Sequence, residues 1–322
     1  MTAATGTVTV EAHGRLHFGV LDLRGSLGRW FGGIGAAAPA PLLRLTARSA
    51  AQVGATGPDA DRAAEFARRF LDYHGVTGGA HIEIEQALPP HTGLGSGTQL
   101  GLAVGRALAE LYAVSADAVA LSQAVGRAKR SAIGTWVFEA GGLVVEGGRA
   151  RDGDGCGPLI ARLELPSEWR CVVAIPAGSP GLSGPAEAQA FSTLPEPPLR
   201  DVEHVAHLVL MGLLPAAADG DLAAFGRILT EIQQINGRWF AAVQGDTFAP
   251  GTPRLLIDAM LNDGAAGAGQ SSWGPAVYGI VGDQAAADSL VGQLKRIVGA
   301  AGDVYSGPFP SHGARVWRAA AQ

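Results

Sequence analysis

The stretch with the clearest chemical potential is PHTGLGSGTQ, residues 90–99, in which three glycines alternate with small polar side chains. It follows a predicted strand and precedes a predicted helix, whose first N–H groups and dipole favour a bound anion. A tight turn alone would also explain the glycines. The pattern lacks the lysine of a P-loop and the spacing of a dinucleotide fingerprint. The candidate ligands are His91, Gly93, Gly95, Ser96, Gly97, Thr98 and Gln99.

The elements around this loop follow from hydrophobic periodicity. Alternation over 80–88 predicts a half-buried strand, and apolar residues at three- and four-residue steps over 98–112 predict a helix. Further periodic segments and breakers predict an α+β protein. The additional predicted strands are 7–12, 42–48, a pair within 138–148 and 170–176, and the additional helices are 59–73 capped by Asp59, 115–129 capped by Ser115, 201–214 and 221–240.

Composition limits the classes of function. The 322 residues carry a net charge of −5 and only 16% charged side chains, so neither a nucleic-acid surface nor a basic membrane patch is expected. We expect a cytoplasmic protein, since neither a signal peptide nor a membrane-spanning run is evident. Lys129 and Lys295 are the only lysines, so an anion clamp must rely on arginine. Cys156 and Cys171 lack metal-site spacing and are expected to be reduced thiols.

Three glycine-rich segments, in order, resemble the motifs of the GHMP superfamily of small-molecule kinases. They are AHGRLHFG (12–19), the loop from Pro89 or Pro90 to Ser96, and GAAGAGQSSWGPAVYG (264–279). Gly97, Thr98 and Gln99 replace the serine and small residues that a kinase normally has next. This departure resembles one branch, the β-ribofuranosylaminobenzene 5′-phosphate synthase family, through the blocks 15–35, 93–108, 126–142 and 269–275.

The resemblance implies a two-domain α+β sandwich. Residues 1–165 would form a ribosomal-S5-domain-2-like domain with the glycine loop, and residues 166–322 a ferredoxin-like α+β domain that completes the substrate cleft. The polar, glycine-rich segment 151–158 is the candidate linker.

The resemblance also implies a reaction. Phosphoribosyl pyrophosphate would condense with 4-aminobenzoate or 4-hydroxybenzoate, releasing carbon dioxide and pyrophosphate and forming a C-riboside 5′-phosphate, the first step toward tetrahydromethanopterin. Mg²⁺ is the expected cofactor; pyridoxal phosphate and thiamine diphosphate are not expected, because the para amino or hydroxyl group supplies electrons to the ring. We expect a homodimer that acts on small molecules.

Two pairs in the first matching block are expected at this site. Asp22 would be a metal ligand or acid/base and Arg29 a clamp on phosphate or carboxylate, the alternative being a loop salt bridge. Arg15 and His17 share one face of a predicted strand and are expected to bind substrate, although a structural ion pair and a packed histidine remain alternatives.

The later blocks supply further candidates with open alternatives. Lys129 or Arg130 would lie near the 5′-phosphate, or simply follow a helix whose dipole favours cations. Glu139 would act as a base or be a strand-end charge. Trp273 would stack on the benzoate ring or plug the domain interface. Its neighbours Gln270, Ser271 and Ser272 could bind substrate.

Two other functions remain open from the sequence. An ATP-dependent small-molecule kinase of the same fold is the main alternative, disfavoured by Gly97, Thr98 and Gln99 after the loop. A noncatalytic ligand-binding or scaffolding protein is disfavoured because polar residues persist in all three glycine segments.

Overall fold

In the computed structural model, which describes residues 6–153, 155–178, 181–182 and 184–319, strands and helices alternate irregularly along the chain. The strands are β1 (Thr7–Asp22), β2 (Arg29–Ala50), β3 (Gly54–Thr56), β4 (Gly79–Gln86), β5 (Leu143–Glu146), β6 (Arg149–Ala150), β7 (Leu159–Leu163), β8 (Arg170–Ile175), β9 (Gly267–Gln270), β10 (Val277–Val281), β11 (Asp303–Gly307) and β12 (Arg315–Ala319).

The helices lie mostly between these strands. They are α1 (Ala60–Tyr73), α2 (Ser96–Tyr112), α3 (Ala118–Ala124), α4 (Ile133–Ala140), α5 (Gly184–Thr193), α6 (Leu199–Leu208), α7 (Leu214–Asp219), α8 (Leu222–Gln244), α9 (Thr252–Asn262) and α10 (Gln284–Val298), with a π-helical segment, Val209–Leu213, joining α6 to α7. In the described part of the chain, no helix has the length and apolar character needed to cross a membrane.

A long antiparallel hairpin, β1 and β2, organises the first sheet of eight strands. β2 pairs with β4 along its second half, through Arg44–Ala50, and with β5 through Gly33–Ala36. The pairing of β1 with β2 shifts register between His13 and Arg15 and again between His17 and Gly19. Such irregularities bend a strand and re-aim its side chains, so β1 can serve both the sheet and the cavity described below.

The second sheet has the order β11-β8-β10-β9 and is antiparallel throughout. One apolar core lies between the first sheet and α1–α3. A second core joins the two sheets with α6–α8, and a third packs the other face of the second sheet against α9 and α10. Because the second core draws on both halves of the chain, the sheets are held together by burial of apolar side chains.

The predicted α+β class is confirmed, but some local predictions are wrong. Residues 138–140 end helix α4 instead of forming a strand, because Ile133 and Val137, four residues apart, bury their side chains on one face of the helix. The third helix is capped by Asp117, which accepts from Ala120 N–H, and not by Ser115. The division at residue 165 stays a prediction; β12, from the second half, pairs with β1 of the first sheet.

Two buried amides on α8 fasten this helix to β1. Gln233 Nε2 donates to Phe18 O (2.6 Å), and its Oε1 accepts from Gln270 N–H (2.8 Å). Asn236 Oδ1 accepts from Val20 N–H (2.6 Å). These side chains supply hydrogen-bond partners to backbone groups of β1 and β9, and they fix the position of α8 beside the cavity.

Replacing Gln233 tests this fastening. We expect Gln233→Met to lower the free energy of unfolding by about 2–4 kcal/mol, because a buried carbonyl and a buried N–H lose their partner. Gln234→Met is the matched control, since Gln234 is exposed on the same helix. Urea denaturation of both variants checks the difference; equal stability of the two would contradict a clamping role.

Candidate functional site

The glycine loop is held in a conformation that requires its glycines. Gly93 and Gly95 have φ of +87° and +76°, the left-handed region that favours glycine. A Cβ at Gly93 would overlap the backbone oxygen of Ser271, and one at Gly95 would lie 2.9 Å from Arg15 Cγ. Gly95 occupies the N-cap position of α2 without a side-chain cap. The first turn of α2 therefore presents backbone N–H groups, the feature that suits an anion.

Arginines surround this helix terminus. Arg15 donates from its guanidinium to Gly93 O, and Arg127 donates to Thr98 Oγ1 (3.2 Å). A Cβ at Gly97 would lie 2.6 Å from an Arg62 nitrogen and 3.2 Å from one of Arg127, so both guanidinium groups lie over the first turn. Burial lowers the pKa of Arg15 to about 10, and the group keeps its charge at neutral pH. Three positive charges at a helix N-terminus favour a multiply charged anion.

A cavity opens beside the loop, with an empty volume of about 760 Å³ that includes its open mouth. Its walls come from β1, the start of β2, α5, α8 and the segment that follows β9. The cavity adjoins Arg15, which belongs to both the cavity wall and the arginine group around the loop.

One end of the cavity is aromatic. Phe31, Phe191, Phe240 and Trp273 all line it and meet edge to face, with ring centroids 5.0–5.9 Å apart. Arg130 lies against this cluster, its guanidinium 5.6 Å from the centroid of Phe191, while it forms an ion pair with Glu187. The cavity thus offers an apolar wall and a cation in contact with each other.

His17 is a polar side chain almost fully buried at the cavity wall, with 8% of its surface exposed. Burial, and next the charge of Arg15, lower the pKa of His17 to about 3. The imidazole is therefore neutral at neutral pH and suited to hydrogen bonding rather than to accepting a proton. Within the described part of the chain, no protein group hydrogen-bonds to its ring.

Some of the sequence-predicted residues come together here. Those that line the cavity are Arg15, His17, Arg130, Gln270, Ser272 and Trp273. Gln270 also has structural bonds, accepting from Ala249 N–H (2.8 Å) and donating to Ser272 O (2.9 Å). Ser271 is fully buried between β1 and the loop. Their roles in binding substrate stay predictions.

Other predicted residues lie elsewhere. Gln99 points into the first core region and donates to Gly134 O (2.8 Å). His91 and Lys129 are exposed. Glu139 accepts from Ala118 N–H at the start of α3 and pairs with Arg106, away from the cavity wall. A catalytic role for Glu139 stays a prediction that its position does not support.

Asp22 and Arg29 lie near the turn between β1 and β2. Asp22 Oδ1 accepts from the N–H groups of Arg24 and Gly25 (2.6 and 2.9 Å). Arg29 is exposed and donates to the carbonyls of Gly147 and Gly148. A salt bridge between Asp22 and Arg29, the alternative to their functional roles, is not among the ion pairs of the described residues. Their catalytic roles stay predictions.

A site for the Mg²⁺ expected from the sequence would depend on carboxylates near the loop and the cavity. Among the residues that the structure describes, no three His, Cys, Asp or Glu side chains gather as a metal centre. Mg²⁺ is commonly held by one or two carboxylates together with substrate phosphates. Asp22 lies two residues after the cavity residue Val20 on β1 and has a second carboxylate oxygen to offer. A role of Asp22 as ligand of a metal that arrives with a phosphate-bearing substrate stays a prediction.

The sequence did not single out four participants. Arg62 and Arg127 come from separate segments and meet only when α1 packs beside α2. Glu187 and Phe191 come from a helix of weak periodicity. The available signal was their spacing of four, which puts both on one face of a helix.

A buried carboxyl group supports the segment that carries Arg130. Glu146 is fully buried and accepts from the N–H groups of Gly148 (2.7 Å) and Ala132 (3.3 Å). Burial raises its pKa to about 7, and the two N–H donors and then Arg29 oppose this rise. Glu146 therefore fixes the backbone two residues after Arg130.

Comparison with known proteins gives two family matches. Residues 61–137 match the model of the GHMP kinase N-terminal domain, and residues 213–300 match that of the GHMP kinase C-terminal domain. A homoserine kinase structure from Cytophaga hutchinsonii superimposes with a TM-score of 0.68 at 18% identity, covering 98% of this chain and 99% of that one. At that identity the likeness concerns the fold alone.

Two curated relatives are more similar in sequence. The β-ribofuranosylphenol 5′-phosphate synthase of Methanothermobacter thermautotrophicus is 34% identical, covering 90% of this chain and 93% of the relative. That of Archaeoglobus fulgidus is 35% identical, covering 88% of each. At this coverage the matches span both halves of the chain.

Substituting Gly93 tests the loop. We expect Gly93→Ala to destabilise the protein by about 2–4 kcal/mol, from left-handed strain and overlap with Ser271, and to weaken binding of inorganic pyrophosphate at least tenfold. Gly292→Ala is the control, since a Cβ there meets no atom within 4 Å. Thermal denaturation and calorimetric titration measure the two effects; normal pyrophosphate binding by Gly93→Ala would argue against the loop as an anion site.

Titration of Glu146 predicts a pH-dependent stability. Its pKa of about 7 in the fold exceeds the ordinary value of 4.5, so its contribution is full below pH 4.5 and is lost as pH rises to 7. We expect Glu146→Gln to remove this pH-dependent loss of unfolding free energy. The loss amounts to up to about 3 kcal/mol, at about 1.4 kcal/mol per unit of pKa shift. Unfolding free energies from pH 5 to 8 measure it. Glu83→Gln, at an exposed strand position, should keep the wild-type slope.

Proposed function

The chain belongs to the β-ribofuranosylphenol 5′-phosphate synthase family, as its motifs predict, and we propose that it is a decarboxylating phosphoribosyltransferase. Its substrates would be phosphoribosyl pyrophosphate and a 4-substituted benzoate, and its products a C-riboside 5′-phosphate, carbon dioxide and pyrophosphate. One observation carries the proposal: Arg15 belongs both to the arginines around the glycine loop and to the wall of a cavity with an aromatic end. A polyanion and an aromatic acid would thus lie side by side.

The first chemical demand is to stabilise pyrophosphate as it leaves. When the C–O bond at the anomeric carbon breaks, its electrons stay on pyrophosphate and positive charge develops on the ribose. The N–H groups of the α2 first turn, with Arg15, Arg62 and Arg127, are positioned to hold that negative charge. Preorganised donors of this kind contribute about 3 kcal/mol each to lowering a barrier.

The second demand is a carbon nucleophile. The ring carbon that bears the carboxylate attacks the anomeric carbon, and the para substituent donates electrons. The bond to the carboxylate then breaks, carbon dioxide leaves, and its electron pair restores the aromatic ring. This sequence needs no base, because no proton leaves the ring. A neutral His17 at the cavity wall agrees with such a mechanism.

Mg²⁺ would supply additional charge for the leaving pyrophosphate, with Asp22 as the protein ligand. We favour 4-hydroxybenzoate as the acceptor because the relatives are named for a phenol product. A place in tetrahydromethanopterin synthesis, a cytoplasmic location and a homodimer remain predictions from the sequence resemblance. The kinase alternative shares the fold but has less support, since the relatives that cover most of the chain are named synthases.

One assay tests the proposal. Purified protein with Mg²⁺, phosphoribosyl pyrophosphate and carboxyl-labelled 4-hydroxybenzoate is expected to release labelled carbon dioxide only when both substrates are present. Carboxyl-labelled 4-aminobenzoate, assayed in parallel, decides the acceptor. Formation of ADP from ATP and a small metabolite, without release of label, would overturn the proposal in favour of a kinase.

A further inference from the structure

We propose that the aromatic end of the cavity is the acceptor subsite: the benzoate ring packs against Phe191, Phe240 and Trp273, and its carboxylate takes the place of Glu187 on Arg130. This inference rests on the proposed function and assigns the acceptor to named residues. It also gives Arg130 a partner other than the 5′-phosphate expected from the sequence.

The aromatic cluster has surface to offer a flat ring. Phe191, Phe240 and Trp273 contact one another edge to face, with centroid separations of 5.0, 5.7 and 5.9 Å. All three are only half-buried, and all three line the cavity. Aromatic rings favour edge-to-face and offset contacts, so a further ring would extend this arrangement.

Arg130 already contacts a carboxylate and an aromatic ring of the protein, the two groups that a benzoate combines. Glu187 and Phe191 are four residues apart on α5 and so share one face of that helix. The Arg130 guanidinium pairs with the Glu187 carboxylate and lies 5.6 Å from the Phe191 ring centroid. A carboxylate next to an aromatic ring is the recognition pattern of a benzoate. Arg130 therefore meets, within the chain, the two groups that an aromatic acid would present.

The other arginines are less suited to this carboxylate. Arg15 is committed to Gly93 O, and Arg62 and Arg127 lie over the first turn of α2. Arg15 and Arg130 are the cations that line the cavity among the described residues, and of these two Arg130 lies against the aromatic wall. Arg149 lies 5.7 Å from the Phe31 ring centroid but does not line the cavity. An arginine can bind a carboxylate through two parallel hydrogen bonds, which fixes orientation as well as position.

The subsite also lies on the correct side for reaction. Glu187 lines the same cavity as Arg15, whose guanidinium reaches Gly93 O in the loop, and its carboxylate pairs with Arg130 at the aromatic wall. Glu187 therefore lies on the side of the aromatic wall that faces Arg15 and the loop. A substrate carboxylate in the same place would turn the carboxyl-bearing carbon toward the loop that holds the leaving pyrophosphate. This is the ring carbon that must form the new bond.

Glu187 then acts as a competitor of the substrate, and removing its charge provides the sharpest test. We expect Glu187→Gln to lower the KM for 4-hydroxybenzoate severalfold and to tighten binding of benzoate, measured by calorimetry without phosphoribosyl pyrophosphate. Damage to the fold would not produce such a gain. An unchanged or raised KM for 4-hydroxybenzoate, or weaker binding of benzoate, would contradict the proposal that the substrate carboxylate replaces Glu187 on Arg130.

Arg130 is expected to act in the opposite direction. Arg130→Gln should raise the KM for 4-hydroxybenzoate at least tenfold while the KM for phosphoribosyl pyrophosphate changes less than twofold, and Arg130→Lys should recover part of the loss. Arg151→Gln is the matched control, since Arg151 lies over Trp30 at 5.1 Å outside the cavity wall. A rise confined to the KM for phosphoribosyl pyrophosphate would instead assign Arg130 to the phosphate.

The two proposals fail in distinguishable ways. If wild-type protein releases no carbon dioxide but binds benzoate in a manner that Arg130→Gln abolishes, the subsite stands and the reaction is wrong. If carbon dioxide is released and all the variants at positions 130 and 187 keep wild-type KM values for the acceptor, the reaction stands and the subsite is wrong.

Discussion

The carbonyl of Gly93 is the point at which the three glycine segments of this protein meet. It accepts hydrogen bonds from the Arg15 guanidinium on β1 and from the Ser271 hydroxyl after β9. Ser271 Oγ in turn accepts from His17 N–H (2.9 Å). Because a glycine is needed for this backbone to approach Ser271, the anion loop, the bent strand and the second sheet form one connected unit. The cavity and its arginines depend on that junction.

Much of this arrangement can be predicted from the sequence, and the predictions that are wrong or missing have physical causes. The alternation over 80–88 predicts β4, and the glycine pattern predicts the loop before α2. The sequence does not reveal the 22-residue strand β2, since its first half is rich in glycine, alanine and proline, which have low strand propensity. Burial between two layers stabilises that half in spite of its composition. The assignment of Ser115 as a cap failed because Asp117, two residues later, supplies a carboxylate for the same purpose.

In the candidate site, too, some residues are predicted by local sequence patterns and others are brought there only by the fold. Residues carried by local motifs, such as Arg15, Gly93 and Trp273, were predicted because a motif is contiguous in sequence. Glu187 and Arg62 have no motif; their proximity to the site arises from packing of helices far apart along the chain. The similarity to a kinase structure concerns the fold alone, while the aromatic wall is a separate feature on which the proposed acceptor chemistry would depend.

The pairing of β12 with β1 has a consequence for how the chain acquires its structure. Thr7 pairs with Ala319 and Glu11 with Arg315, so neighbouring strands are more than 300 residues apart in sequence. During synthesis, one edge of β1 stays unpaired until β12, more than 300 residues later, has been made. Contacts of this span slow folding and leave a strand edge open to wrong association in the meantime. β1 precedes all the other described strands and is nevertheless among the last to be completed, so a nascent chain would gain from protection of that edge.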